Sequence, residues 1–415
     1  VKKKKIVFVV NYFYPDFAST GQLMTELCLY LQNDFEITVV AAIPEGAEAD
    51  ASGKRFIYDD LENIEIVRIK LPKLDKSNKL SRLKYITAYF LFAIVALLKQ
   101  RKTDVIYTIS TPPVLGGLIG TIGKFLKGSK HIYNIQDFNP EQAEAVKYTK
   151  NKVIFGIARF IDNLSCKFAD HVITVGTDMQ ETLAHRFAKN SNSIPSNSVI
   201  NNWTDEQDIV PLDKDHPRVK EFLLKYGLLN KLIIMYSGNL GLYYDLENII
   251  KLVKHFKDNS DVAFVFIGDG AVKKDMIRYS DENSLTNTHF LEFQPKDSIK
   301  YSLNAADIHW VVNQKGIKGV SVPSKIYGVM AAGKPVLGVL ESGSEAHRLI
   351  VNSECGFVLE PEDYNGITLQ LEDIIQKDRS ELILKGLNGR KYLEEYLKKD
   401  MALSKYKKLL LYLTS

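Results

Sequence analysis

Lys325 stands in V-S-V-P-S-K-I-Y-G-V-M-A-A-G-K-P-V, residues 320–336, directly after Ser324 and two places after Pro323. A proline that stops the preceding segment, a serine able to cap and a lysine in the first turn describe a helix start. Its N–H groups and dipole favour an anion, with a cation fixed beside them. The chemistry on offer is the holding of a phosphate, although an ordinary N-cap with a solvated lysine uses the same three residues. A second group is Q-D-F-N-P-E, residues 136–141, whose Asp137 and Glu141 can act as base, accept from a sugar hydroxyl, or simply cap a helix. A third is Ser19, Thr20 and Gly21, at the start of a helix beyond a strand end, as a binding rim or a plain N-cap.

These groups need elements to position them. Ile6–Val10, Ile37–Ala41, Ile64–Ile69, Val105–Ile109, Ile132–Ile135 and Val172–Val175 read as strands, each followed by a loop and most by a helical pattern. The alternation of apolar and charged residues in Ile64–Ile69 predicts an edge or half-buried strand. Gly116, Gly117, Gly120 and Gly123 share a helix, which predicts close packing. The first half closes with Val199, Ile200 and N-N-W-T-D. After a charged stretch holding Pro211 and Pro217, a new series runs Leu232–Tyr236, the turn S-G-N-L-G, a helix capped by Asp245, Ala263–Ile267 into G-D-G, Phe290–Phe293 and Ile308–Val312. Strand and helix alternating on this scale predict two doubly wound α/β domains facing a cleft. The expected bounds are 1–208 and 209–396, with a helix from about 397 to 415 packing back on the first domain.

At 415 residues and 45% apolar composition the chain is long enough for two cores. Its 54 basic against 50 acidic residues leave +4, too little over this length to argue for nucleic acid. Cys28, Cys166 and Cys355 are too few and too far apart for a disulfide framework or a zinc site, and fit a reducing cytoplasm. The eight histidines show no ligand spacing, and the D-x-D of Asp213 and Asp215 lies in the linker, so no metal is expected. Lys70, Lys73, Lys76, Lys79, Arg82 and Lys84 precede an apolar run, Tyr85–Leu98, shorter than the ~20 residues that cross a bilayer. It is a buried helix, or one whose basic approach meets an anionic membrane surface; both can be true of different faces.

With S-G-N-L-G, I-G-D-G and V-P-S-K-I-Y-G-V-M-A-A-G-K-P-V in that order, the chain resembles the family-four retaining glycosyltransferases of the two-Rossmann GT-B fold, nearly end to end. Y-P-D-F-A-S-T-G, T-P-P-V-L-G-G, Q-D-F-N-P-E and N-N-W-T-D look like the branch that builds bacterial capsule, O-antigen and exopolysaccharide. The resemblance implies a UDP-sugar held by the carboxy-terminal domain and a lipid-linked or saccharide acceptor held by the amino-terminal one, with no cofactor beyond that substrate. The sugar would be an N-acetylated amino or deoxyamino hexose. By the same resemblance Gly238, Asn239 and Gly241 lie against the diphosphate with Ser324 and Lys325 opposite. Gly268, Asp269 and Gly270, with Phe293 and Gln294, surround base and ribose, while Ser19, Thr20, Gly21, Asp137 and Glu141 face the acceptor. Asp137 and Lys325 are the expected catalytic pair, and the protein would work in the cytoplasm or peripherally on the inner membrane face.

The chain also departs from that family. Where many relatives carry two glutamates eight residues apart, it has Val320 and Gly328, and the usual arginine and lysine after the first strand are replaced by Asn239 and Tyr244. Lys325 is then the main cation, helped by Lys315 or Lys318. A UDP-sugar epimerase or a non-catalytic sugar-nucleotide-binding partner are the alternatives. A nicotinamide-dependent oxidoreductase lacks its G-x-G-x-x-G.

Overall fold

The computed structural model describes residues 2–16, 19–44, 53–75, 78–147, 151–188 and 194–415. Lys76 of the basic approach lies outside them. The chain forms two compact units, residues 1–201 with 403–415, and residues 202–402. The boundary thus falls seven residues before the expected one. The reason is local: Arg390 donates to the carbonyls of Glu206 and Ile209, and Lys399 pairs with Asp205 at 3.0 Å, which ties the N-N-W-T-D turn and residues 206–209 to the second unit.

The first unit opens with β1 (Lys5–Val9), α1 (Ser19–Leu31), β2 (Glu36–Ala42), β3 (Phe56–Leu61), β4 (Ile64–Ile69), α2 (Lys79–Lys99) and β5 (Val105–Ile109). It continues through α3 (Leu115–Lys127), β6 (Lys130–Ile135), α4 (Asn139–Ala145), α5 (Lys152–Phe168), β7 (His171–Thr174), α6 (Thr177–Phe187) and β8 (Asn197–Val199). The strand order is β3-β4-β2-β1-β5-β6-β7-β8, parallel except for β3. Ile6 on β1 faces Ile37 on one side and Val105 on the other, so the most apolar strands sit centrally. β4 is not the edge: β3 pairs antiparallel with it and takes that place, its Tyr58, Asp59 and Asp60 exposed. The glycines of α3 pack as expected. A Cβ at Gly116 would lie 2.0 Å from the carbonyl oxygen of Ile109, and one at Gly120 would lie 1.9 Å from the His131 ring. Residues 403–415 complete this unit: Tyr406 is buried, its ring tilted against Tyr107 at 6.3 Å, and it accepts a 2.9 Å hydrogen bond from the Asn134 amide.

The second unit contains α7 (Pro217–Lys225), β9 (Leu232–Ser237), α8 (Leu246–Val253), β10 (Val262–Ile267), α9 (Lys273–Glu282), β11 (Thr288–Leu291), α10 (Ile299–Ala305) and β12 (Ile308–Val312). Then come α11 (Lys325–Ala331), β13 (Val336–Val339), α12 (Glu345–Ser353), β14 (Gly356–Leu359), α13 (Tyr364–Gln376), α14 (Arg379–Tyr396) and α15 (Lys399–Thr414), the last running on into the first unit's residues. The all-parallel order β11-β10-β9-β12-β13-β14 is that of a Rossmann domain. Alternate residues of β9 enter opposite cores, Ile234 and Tyr236 one, Ile233 and Met235 the other, as a sheet covered on both faces requires. Two local expectations are corrected. β11 ends at Leu291, because Glu292 and Phe293 already face solvent. Asp245 caps α8 with its backbone carbonyl, which accepts from Asn248 and Ile249, while its carboxylate accepts from Tyr364 and Asn248 at 2.6 Å.

Candidate active site

β9 and β12 are neighbours in the sheet although β10 and β11 come between them in the chain, so the strand order reverses there and their carboxyl ends flank a crevice. Residues 238–241 leave β9 at that point and are laced to residues 268–270 after β10. The Gly238 N–H donates to Ile267 at 2.9 Å and the Leu240 N–H to Asp269 at 2.8 Å, while the Tyr236 hydroxyl donates to Asn239 at 2.7 Å. The glycines are required by this approach. Gly268 has φ +137°, and a Cβ there would fall 1.9 Å from the Gly238 carbonyl oxygen; one at Gly270 would fall 2.3 Å from that of Leu240. Asn239 and Asp269 remain exposed at the rim, the latter's carboxylate accepting from the Gly270 N–H at 2.9 Å.

Lys325 comes to this crevice from the β12 side. Its ammonium lies 3.6 Å from the ring centre of Tyr236 and 4.4 Å from that of Tyr244, and against Gly238, where a Cβ would be 3.6 Å from Nζ. Although part of the residue is open to solvent, Nζ itself is buried with no hydrogen-bond partner among the described residues. Burial holds its pKa well below the ordinary lysine value. Two aromatic faces return about 0.5–2 kcal/mol to a desolvated cation, but they leave its three N–H donors unspent. An anion entering between the 238–241 loop and Lys325 would take those donors.

Several expected residues behave differently. Ser324 does not cap α11: its own backbone is already helical, φ −57° and ψ −19°, so its hydroxyl is not placed to reach the N2 or N3 N–H. The turn is closed instead by the carbonyls of Pro323 and Ser324, which accept from Ile326 and Tyr327 at 3.2 Å. Lys315 and Lys318 are not helpers, since one pairs with Glu362 at 3.0 Å and the other donates to the Ser342 carbonyl at 2.6 Å. Phe293, 58% exposed, brings its ring edge 3.4 Å from where a Gly268 Cβ would be. The Gln294 amide is turned back to the Glu292 carbonyl at 2.9 Å. Val320 is buried, and a Cβ at Gly328 would be 3.6 Å from Leu303.

In the first unit Asp137 is half-buried beyond β6. The Asp137 and Gln136 N–H groups donate to Ser110 Oγ at 3.2 and 3.1 Å, and Asn139 donates to the Ser110 carbonyl at 2.8 Å, fixing the loop to the end of β5. Glu141 is different. Both its oxygens are taken by Arg186, and one also by Arg159 at 3.0 Å; Arg186 continues to buried Asp162 at 2.6 Å, which accepts from Tyr133 at 2.8 Å. Glu141 is an anchor between α4, α5 and α6, its carboxylate spent on two arginines. Ser19 is exposed at the head of α1, Thr20 is half-buried, and Gly21 is buried against Tyr12, 3.2 Å from where its Cβ would be. The rim residues 17–18 lie outside the described ones. Ser110 and Tyr236 were missed because S-T-P-P reads as a turn and L-I-I-M-Y-S as core; only their places at strand ends beside the β1/β5 and β9/β12 switch points mark them.

The family of glycosyl transferases group 1 matches residues 221–399. Over 404 residues the chain is 26% identical to the probable glycosyltransferase WbjE of Pseudomonas aeruginosa, covering 96% of each. WcaI of Escherichia coli strain K12, whose name assigns it to glycosyl transfer in colanic acid biosynthesis, is 24% identical over 97% of this chain and 98% of its own. Among solved structures, Anabaena HepE in complex with UDP and glucose superposes with a TM-score of 0.71 at 14% identity, over 99% of both chains. That likeness speaks for the fold, which is GT-B.

Proposed function

Since this chain is a glycosyltransferase whose residues 221–399 match the group 1 family, we propose that it moves a sugar from a UDP-sugar to a lipid-linked or saccharide acceptor in bacterial surface polysaccharide synthesis. The observation that carries the donor reading is the buried Nζ of Lys325, without a hydrogen-bond partner among the described residues, facing a glycine loop at the β9/β12 switch point. A diphosphate is the group whose oxygens match a fixed cation and close backbone approach together. The UDP in HepE and the colanic acid in the name of WcaI support the same reading. The sugar in this reading is an N-acetylated amino or deoxyamino hexose, as the resemblance to the capsule and O-antigen branch implies. Three buried free thiols suit a cytoplasmic protein.

In the proposed reaction the acceptor hydroxyl oxygen bonds to the anomeric carbon as the bond from that carbon to the β-phosphate oxygen breaks. UDP leaves, and the hydroxyl proton passes to the departing phosphate, with Asp137 orienting the hydroxyl. Lys325 offsets the charge that gathers on the leaving group, without need of a metal, and the product keeps the donor's anomeric configuration. Transfer in excess chelator, with the product's configuration assigned by NMR, tests this. Lys325→Ala is expected to lose about 2–4 kcal/mol of transition-state stabilisation while staying folded. An inverted product, a strict metal requirement or unchanged turnover in the variant would overturn the corresponding part.

A further inference from the structure

α2, α3 and α5 lie side by side on one face of the first unit's sheet, with α3 between the other two. Its glycines let it sink there: a Cβ at Gly117 would be 2.8 Å from Ser165 of α5, and one at Gly123 would be 2.5 Å from Leu97 of α2. α2 is longer than its apolar run suggested and would pass for a spanning helix by length and composition, yet it is built into the fold by Tyr89, Ala93, Ala96 and Leu97. Its other face carries Leu80, Leu83, Leu91, Val95 and Leu98 into solvent, with Lys84 and Lys99 in the same exposed stripe.

α5 is the more telling helix, because polar Asp162 and Ser165 share its buried face with Phe155 and Cys166 while large apolar residues lie outside. Asp162 and Ser165 point inward, Asp162 paired to Arg186, while Val153 (67% exposed), Ile154, Ile157 and Phe160 (64%) form an outward stripe. Exposed Lys152 and Lys167 stand at its two ends. The carboxyl ends of α3 and α5 are joined by an edge-to-face contact of Phe125 and Phe168 at 5.3 Å, both rings partly open to solvent. In the sequence of these three helices Asp162 is the sole carboxylate. A soluble monomer keeps apolar stripes of this kind inward. Outward and flanked by exposed lysines, they match the acyl boundary and phosphate layer of a bilayer.

We propose that the outer faces of α2 and α5, bridged by the end of α3, dock onto an anionic membrane surface, the apolar stripes entering the interface and the lysines meeting lipid phosphate. This rests on the lipid-linked acceptor reading only for its purpose, since docking needs neither sugar nor nucleotide. The test is co-sedimentation of the full chain with phosphatidylcholine vesicles, with and without 30% phosphatidylglycerol, alongside two surface variants. These are Ile157→Ser/Phe160→Ser and Lys84→Gln/Lys152→Gln/Lys167→Gln. Wild type should bind the anionic vesicles and lose binding as salt rises. The apolar pair should release it, and the triple lysine change should weaken binding on the order of a hundredfold, from about 1 kcal/mol for each lysine near the surface. Equal binding to neutral vesicles, no binding by wild type, or unaltered binding by both variants would overturn the proposal. So would self-association that is abolished by Ile157→Ser/Phe160→Ser in a chain indifferent to vesicles, which assigns the face to a second copy. Transfer to a water-soluble acceptor, measured separately, reports on the enzyme reading independently.

Discussion

Lys325 lays its Nζ on two phenol rings with no hydrogen-bond partner among the described residues, and that placement has a pH signature. Its folded pKa is depressed by burial, so between that value and the ordinary lysine value the unfolded chain binds more protons. The free protein is penalised at Lys325 below the folded pKa and gains stability as pH rises through this window. A bound diphosphate reverses the shift, so UDP binding draws in a proton and weakens as pH rises above the depressed pKa. Calorimetry of UDP binding at such a pH, in two buffers of different ionisation enthalpy, should show proton uptake in wild type and none in Lys325→Met. Asp137 makes the contrasting case. Its loop is held through backbone N–H groups to Ser110, so Asp137→Asn should leave the loop in place and UDP affinity intact. Turnover should fall by part of the ~10²–10⁴-fold typical of a positioned acid or base, and steady-state kinetics with UDP titration separates the two effects.

Helices α4, α5 and α6 meet at a charge network rather than an apolar seam. Arg186 is nearly sealed from solvent, as is Asp162, and Arg186 also covers the Phe138 ring at 4.2 Å. Removing it by Arg186→Met leaves buried Asp162 without its cation and Glu141 with Arg159 alone, and should cost about 3–5 kcal/mol in denaturant unfolding of the first unit, whereas Arg159→Met, at a more exposed pair, should cost far less. The same elements show what could be read from sequence. Central strands such as β1, β5 and β12 are mostly apolar runs closed by polar residues, and their limits were legible to within a residue. β3 was not, because F-I-Y-D-D-L lies at a sheet edge with little apolar burial, and its pairing with β4 is set by tertiary contact. The role of Glu141 was hidden for a similar reason: its partner Arg186 is 45 residues away, on another helix. Lys325 was legible from its motif. Its aromatic seat was not, since Tyr236 looks like any strand residue until β9 and β12 are known to be neighbours.

Across the whole molecule, the first unit is discontinuous in sequence: residues 403–415 return to it after 201 residues of the second. Leu403, Tyr406 and Leu410 are buried there, and Lys407 pairs with Asp34 at 2.7 Å. At about 1.5–3 kcal/mol for each buried apolar side chain, ending the chain at 402 should remove several kcal/mol from the first unit. Thermal unfolding should show its transition lowered or lost while that of residues 202–402 is kept, and limited proteolysis should then cut preferentially within residues 1–201.

That return carries a consequence for synthesis on the ribosome. A chain is made from its amino end, yet the first unit cannot close over Tyr107 and Asn134 until Tyr406 emerges, by which time residues 202–402 are all available to fold. The part made first is therefore finished last, and while it waits, the apolar stripes of α2 and α5 are presented beside a still-open core. A nascent chain lengthened by a carboxy-terminal linker and stalled with residue 402 just outside the ribosome should hold a protease-resistant second unit and a first unit that is digested, and a longer linker that frees the remaining residues should close it.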